Sequence, residues 1–273
     1  MKTVINMLSK IQVISDIHIE FSNNIPIIPK LADTMFLAGD IGHVNKPNFK
    51  HFFDYVSMNW QQTFYVLGNH EFYSQYETED ICKLTDKYIE FFKQYDNITL
   101  LNRDKVEYQG YQILGCTLWS NVKADTRWLN DFVQIKKSIG SKLAPISLQD
   151  FLSFHNKDLN WLMENYDRSK PTIVMTHFPL ISSLGEQRLD HPKFKNQNPS
   201  MKTYFMNNID LCPENNLICI SGHTHYSHDF IRNNIRYISN QLGYEEEIDE
   251  TGCKNKPYII HRGSRGNCFP LII

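Results

Sequence analysis

The feature that most restricts the fold is a series of short apolar runs, each followed closely by a Gly, Asp, Asn or His residue. Runs of this length that end at such residues predict buried strands, and the polar residues then lie at their carboxyl ends. An α/β sheet places its functional site at that edge. The runs are residues 11–15, 34–38, 63–67, 171–175 and 217–220, and they precede Asp16, Asp40, Asn69, His177 and His223.

Segments between these strands carry apolar residues at helical spacing, which predicts helices over residues 49–58 and 81–95. Residues 147–150 resemble a capping box that begins a third helix. Further strands are predicted at 98–101, 111–118, 230–232 and 236–239, with Asn233-Asn234 as the turn between the last two. Residues 185–200 and 243–273 are predicted as a surface loop and a tail, with an edge strand at 258–260.

Composition excludes several classes of protein. Hydrophobic residues make up 41% of the 273 residues, enough for a packed core. Lys and Arg number 28 against 30 Asp and Glu, so charge gives no case for a dedicated nucleic-acid binder. The six cysteines form no C-x-x-C pair, which favours buried free thiols in a reducing, cytoplasmic compartment. No apolar run reaches the roughly 18 residues of a membrane span.

The residues at the strand ends have the chemistry of metal ligands. Imidazole nitrogens with carboxylate and amide oxygens suit divalent Mn, Fe or Zn, and none of them requires sulfur. Asp40 has two carboxylate oxygens and can bridge two ions, which would lie about 3.5–4 Å apart with a shared hydroxide as the nucleophile. We predict Asp16, His18 and His225 as ligands of the first metal, and Asn69, His177 and His223 as ligands of the second.

His70 immediately follows the predicted ligand Asn69 and is better interpreted as an acid. A histidine with an ordinary pKa can protonate a leaving alkoxide or contact the phosphate. Any one of these motifs is common by itself, and most D-x-H sequences are ordinary turns. The prediction depends on their occurrence together. His155, on the apolar face of its helix, is interpreted as a core residue.

Taken together, the motifs resemble those of the calcineurin-like metallophosphoesterase superfamily: D-x-H, G-D, G-N-H-[DE], a single H and G-H-x-H. The resemblance covers about residues 11–242 and implies one domain, with 243–273 as a C-terminal extension. It implies a four-layer α/β/β/α sandwich of two mixed sheets flanked by helices. It also implies a dinuclear centre at the sheet edge with the ligand sets given above, and His70 as a phosphate contact.

One departure from the family's motifs narrows the range of possible substrates. Protein Ser/Thr phosphatases of the superfamily have G-D-x-x-D-R-G, whereas residues 39–44 here place His43 at the second Asp. This disfavours that branch. The segment around His43 resembles instead the corresponding stretch of double-strand-break repair nucleases, in which the histidine assists phosphodiester cleavage. Segments around Trp119 and residues 129–132 resemble a group of stand-alone bacterial-type metallophosphoesterases.

The leading hypothesis is therefore an enzyme that hydrolyses phosphomonoester or phosphodiester bonds in small molecules or nucleotides. His43 and Trp119 are candidate substrate contacts, although a packing role for Trp119 is an equal alternative. A DNA or RNA nuclease of the same superfamily is the less favoured interpretation, and a non-catalytic scaffold is the third. The sequence leaves open the physiological substrate, the metals and the oligomeric state.

Overall fold

The computed structural model describes residues 10–22, 24–74, 79–123, 129–181, 203–244 and 271–272. The main helices of this part are α1 (Pro47–Asn59), α2 (Ile81–Phe92), α3 (Asp131–Gln134) and α4 (Leu148–Asn165), with 3-10 turns at Ile19–Phe21 and His70–Phe72. The strands are β1 (Ile11–Ile14), β2 (Thr34–Ala38), β3 (Gln62–Val66), β4 (Ile98–Leu100), β5 (Asp104–Tyr108), β6 (Tyr111–Cys116), β7 (Lys136–Ile139), β8 (Lys142–Pro145), β9 (Thr172–Thr176), β10 (Leu217–Ile220), β11 (His228–Arg232), β12 (Ile235–Ser239) and β13 (Leu271–Ile272).

The strands form two main sheets. The first has the order β13-β1-β2-β3-β4, and its strands are parallel apart from β13, which pairs antiparallel with β1. The second has the order β11-β12-β10-β9-β6-β5, with parallel strands in the middle and antiparallel strands at both edges. The strands β7 and β8 form a separate hairpin. Both main sheets are therefore mixed.

Alternation of side chains along the strands produces three apolar layers. Phe36 and Ala38 point into a core between the two sheets, where they share a cluster with Ile173 and Ile220. Met35 and Leu37 point the other way, into the core under α1 and α2. On the far side of the second sheet, residues of β6, β9 and β10 pack with Leu162 of α4. Helix, sheet, sheet and helix thus make the four layers that the resemblance implies.

Most elements predicted from the sequence are present. The capping box is formed as expected, because the Ser147 side chain accepts from the Asp150 N–H and the Asp150 carboxylate accepts from the Ser147 N–H. The two 3-10 turns, α3, β5, the β7–β8 hairpin and β13 were not predicted. The last of these lies within residues 243–273, which were predicted as a polar tail. The predicted loop at 185–200 and edge strand at 258–260 lie outside the described residues.

Two further expectations concern the cysteines and membranes. Cys116 and Cys219 are buried free thiols as expected, but Cys82 and Cys212 are exposed, so the expectation of burial was wrong for this pair. Within the described ranges, no helix combines the length and the apolar character that crossing a membrane requires.

Candidate metal centre

All seven predicted ligands come together where strands of both sheets end. Asp16, Asp40 and Asn69 follow β1, β2 and β3 of the first sheet, while His177 and His223 follow β9 and β10 of the second. Six of the seven ligand residues are buried, and the seventh, His225, is nearly so. The core between the sheets therefore fixes both halves of the centre at the same edge.

The first group contains Asp16, His18 and His225, with one donor atom of each within 4.8 Å of the others. The Nε2 atoms of His18 and His225 are 3.1 Å apart, and His225 Nε2 is 3.5 Å from Asp16 Oδ1. Two ligand atoms that share one cation at about 2.1 Å, at tetrahedral or octahedral angles, are about 3.0–3.4 Å apart. The spacing of these two histidines fits a shared ion.

The second group contains Asp40, His177 and His223. His177 donates its Nδ1–H to the Ala38 carbonyl at 2.9 Å, which turns Nε2 inward. That nitrogen is 3.4 Å from Asp40 Oδ1 and 3.0 Å from Asn69 Oδ1. Asp40 also reaches the first group, because its Oδ2 is 3.8 Å from His18 Nε2. Asp40 therefore lies between the two groups, as a bridging ligand must.

Two ligand atoms support the fit of cations to this cluster. Asp16 Oδ2 and His223 Nε2 are both buried, and neither has a hydrogen-bond partner among the described residues. An unpaired buried polar atom costs about 1–3 kcal/mol, so such atoms are rare unless a ligand satisfies them. Burial also lowers the pKa of His223, which favours the neutral imidazole that binds metal.

Backbone strain concentrates at the same residues. Asp16, His18, Asp40, His223 and His225 all have positive φ, between 51° and 72°. For residues other than glycine this left-handed conformation costs on the order of 1 kcal/mol each, and it persists only where the surroundings enforce it. Such clusters of strain mark functional sites, and here they turn the ligand side chains toward one centre.

His70 lies beside this centre. Its backbone N–H donates to Asp40 Oδ1 at 3.0 Å, and its Nε2 is 4.0 Å from Asp40 Oδ2. Nε2 also contacts the Tyr244 hydroxyl at 3.0 Å. Burial disfavours the imidazolium, but the charge of Asp40 and the hydrogen bond to Glu20 outweigh it and raise the pKa of His70 to about 9. Without bound metal, His70 therefore carries a proton at neutral pH.

The chain matches the calcineurin-like phosphoesterase family over residues 9–227. The chain belongs to this family. An uncharacterised protein of Acanthamoeba polyphaga mimivirus is 31% identical over 222 residues, which cover 77% of this chain and 78% of that protein.

One solved structure supports this fold. Phosphopantetheinyl hydrolase from Mycobacterium tuberculosis superposes with a TM-score of 0.65 at 16% identity, over 91% of this chain and 93% of that one. A dimetal phosphatase from Danio rerio is more distant, with a TM-score of 0.37 and 10% identity over 85% of this chain and 86% of that one. The first likeness establishes the calcineurin-like phosphoesterase architecture.

The family motif G-N-H-E contains a residue whose role the sequence did not indicate. Glu71 is fully buried, and its carboxylate accepts from the backbone N–H groups of Asp40 (3.1 Å), Ile41 (2.8 Å) and Gly68 (2.8 Å). The Tyr65 hydroxyl donates to it as well, at 2.7 Å. Glu71 therefore ties the loop that carries Asp40 to the loop that carries Asn69.

Gly68 of the same motif leaves no room for a side chain. A Cβ atom there would overlap Asp40 Oδ1 and lie 2.6 Å from the Asp40 nitrogen. We expect Gly68→Ala to displace Asp40, to lower the free energy of unfolding by about 1–3 kcal/mol, and to reduce bound metal. Urea denaturation and elemental analysis of the purified protein measure the two effects.

Gly140 supplies the control for this substitution. A Cβ atom placed on Gly140 would have no atom within 4 Å, but the φ of +59° makes alanine strained there. Gly140→Ala should cost about 1 kcal/mol through the backbone and leave the metal content unchanged. Equal metal content in the two variants would contradict the role assigned to the contact between Gly68 and Asp40.

A second missed residue orients Asn69. Asp131 is buried and accepts from Asn69 Nδ2 at 2.8 Å, so the amide oxygen of Asn69 faces His177 and the centre. The Tyr73 hydroxyl donates to the same carboxylate at 2.7 Å. Burial raises the pKa of Asp131 despite these hydrogen bonds. Asp131 belongs to the segment 129–132 that carried the resemblance to bacterial-type members.

We expect Asp131→Ala to weaken one of the two metal sites, because the Asn69 amide can then rotate. Loss of a residue that orients a ligand typically reduces metal affinity by about 10–100-fold. Calorimetric titration of the metal-free protein would show one site weakened and the other unchanged. Asn130→Ala is the matched control, since its side chain is exposed and makes no cap hydrogen bond. Two unchanged sites in Asp131→Ala would refute the orienting role.

Both candidate substrate contacts are buried. The Trp119 ring is 4% exposed and packs against Phe151 and Phe178, which supports the packing alternative and not a substrate contact. His43 has no exposed surface, and its Nδ1 accepts from the Asn45 N–H at 3.3 Å. A direct contact of either residue with substrate would therefore require movement. His155 is a core residue as predicted, hydrogen-bonded to the Trp119 carbonyl at 2.5 Å.

Proposed function

We propose that this member of the calcineurin-like phosphoesterase family is a hydrolase of small phosphoesters that uses two divalent metals. The observation that carries the proposal is the position of Asp40 between two groups of buried ligands, Asp16 with His18 and His225, and His177 with His223. Two cations bound there would supply a hydroxide nucleophile at neutral pH and neutralise charge on the phosphoryl oxygens. We expect Mn, Fe or Zn, because the donors are nitrogen and oxygen only.

The protein's own residues contribute a proton and a fixed geometry. His70 lies beside the centre with its Nε2 directed at Asp40, so it can hydrogen-bond a phosphoryl oxygen or protonate the leaving oxygen from that atom. The hydrogen bonds of Glu71 and Asp131 fix Asp40 and Asn69 before substrate binds.

The net charge of the protein favours a small substrate. The net charge of −2 provides no extended positive field for a nucleic-acid backbone. His43, the residue that suggested a nuclease, has no exposed surface. We therefore favour small molecules or nucleotides over DNA or RNA, and a cytoplasmic location remains a prediction.

The test is an assay of the metal-free protein after chelation and dialysis. Turnover of bis-p-nitrophenyl phosphate and p-nitrophenyl phosphate should be absent, and should return when Mn, Fe or Zn is added back singly. Activity on the diester alone would assign a phosphodiesterase, and activity on the monoester alone a phosphatase. Cleavage of single- or double-stranded DNA would favour the nuclease. No turnover with Mn, Fe, Zn or Ni would refute the enzyme and favour a scaffold.

A further inference from the structure

The carboxylate of Glu20 joins the two histidines that lie on either side of it. Glu20 is the middle residue of the 3-10 turn Ile19–Phe21, two positions after His18, and its side chain is 1% exposed. Its Oε1 is 3.1 Å from His18 Nδ1 and also 3.1 Å from His70 Nδ1. One buried oxygen therefore serves a metal ligand and the candidate acid, although the two histidines are 52 positions apart in the chain.

This arrangement defines which nitrogen of each ring carries hydrogen. An ionised carboxylate has only acceptors, so each Nδ1 must donate to it. Each Nε2 is then directed away from Glu20 and toward the centre. His18 Nε2 faces His225 Nε2 at 3.1 Å, and His70 Nε2 faces Asp40 Oδ2 at 4.0 Å. A ligand histidine whose second nitrogen donates to a carboxylate is fixed in both tautomer and ring orientation.

Backbone hydrogen bonds of the two residues before Glu20 hold its turn in place. The His18 N–H donates to the Asp40 carbonyl and the Ile19 N–H to the Ile41 carbonyl, both at 3.0 Å. These bonds hold the turn that carries Glu20 against the loop that carries Asp40. The His18 and His70 rings are also in edge contact, with centroids 4.4 Å apart, so neither ring can rotate without disturbing the other.

We propose that Glu20 is a positioning residue that sets the Nδ1–H tautomer of both His18 and His70 and thereby couples metal binding to proton donation. The part that concerns rate rests on the proposed function, whereas the part that concerns tautomers and metal affinity does not. Glu20 acts through the two rings and need not touch substrate. It is thus a shared support for two groups with different tasks.

A direct measurement of the tautomers tests the first half. At a pH above the His70 pKa of about 9, where both rings are neutral, nitrogen-15 NMR of the metal-free protein distinguishes Nδ1–H from Nε2–H in each histidine, with assignments taken from His18→Gln and His70→Gln. We expect hydrogen on Nδ1 in both rings of the wild type, and a mixture of tautomers in both rings of Glu20→Leu. Hydrogen on Nε2 alone in the wild-type rings would overturn the proposal. This measurement needs no activity, so it stands if the proposed function fails.

Metal affinity and rate test the second half. Glu20→Leu removes the acceptor at similar volume, Glu20→Gln keeps an acceptor oxygen but removes the charge, and Glu107→Gln changes an exposed carboxylate far from the centre. We expect Glu20→Leu to weaken the first metal site about 10–100-fold, Glu20→Gln to weaken it less, and the control to match the wild type. Should Glu20→Leu fail to fold, Glu20→Gln and the wild-type spectra still decide the question.

The dependence on leaving group separates positioning from general damage. At saturating metal, Glu20→Leu should lose about 10²–10³-fold in kcat on an alkyl phosphoester, which needs a proton, and much less on a p-nitrophenyl ester. The double variant Glu20→Leu with His70→Ala should lose little more kcat than His70→Ala alone. Equal losses on both substrates, or full additivity, would overturn the coupling. If Glu20→Leu still lacked one equivalent of metal at saturating metal concentration, Glu20 would be a ligand instead.

Discussion

Asp40→Asn is expected to lower kcat/KM on p-nitrophenyl phosphoesters by about 10³-fold or more. The Asp40 carboxylate faces His18, His70 and His177 at 3.4–4.0 Å, so it contacts both groups of ligands and the acid. Asparagine keeps the shape but replaces one oxygen by an amide nitrogen, which cannot bind a cation. Metals stabilise phosphoryl transfer by several kcal/mol, and each 1.36 kcal/mol is a factor of about ten in rate.

Elemental analysis should accompany the rates, because bridging makes a specific prediction about stoichiometry. Loss of a bridge weakens both sites, whereas loss of an ordinary ligand weakens one. Asp33→Asn is the control, since Asp33 is exposed and pairs only with the exposed Lys30 among the described contacts. If Asp40→Asn retained two tightly bound metals and wild-type rate, the central position of Asp40 would have no functional meaning.

The position of five candidate ligands in the fold could be predicted from the sequence, because each of them follows a buried strand. Residues 34–38 and 217–220 were predicted as strands with the bounds that β2 and β10 have. Parallel neighbouring strands bring their carboxyl ends to one edge of a sheet, so residues that follow them meet there. That logic depends only on local patterns of apolar and polar residues.

The β7–β8 hairpin shows where the same logic fails. Its residues are half-buried or exposed, so the sequence from Lys136 to Pro145 carries no apolar run or alternation. The short strand β13 was missed for a related reason, since two residues give no periodicity at all. A strand such as β13, which pairs with β1 at the other end of the chain, cannot be identified from local pattern alone.

The residues that support the ligands could not be predicted from the sequence either. Glu20 meets His70 across 50 positions, and Asp131 meets Asn69 across 62. Position 43 showed that a phosphatase-like Asp is absent there, but the nearness of another carboxylate to His70 depends on the fold. The alternation of Asp16, His18 and Glu20 in one loop was the one local signal. The positive φ at five candidate ligands could not be predicted from the sequence, because residues other than glycine rarely adopt it.

His70→Ala is expected to leave both metals bound and to lower kcat by about 10²–10⁴-fold, the range typical of a lost general acid. His70 approaches Asp40 only to 4.0 Å through Nε2, and its Nδ1 is occupied by Glu20. The ligands of both proposed sites are complete without it. The loss should be largest for alkyl esters, whose leaving oxygen needs a proton, and smallest for p-nitrophenyl esters.

Metal content decides between this role and the alternative. His70, His18 and Glu20 themselves have donor atoms within 4.8 Å of one another, a spacing that could also hold an ion. If His70 were a ligand, His70→Ala would lose metal in proportion to its loss of rate, and added metal would restore part of the rate. His51→Ala is the control, because His51 is exposed on α1. Full metal content with lost rate would assign His70 to proton transfer, and depleted metal would add it to the ligands.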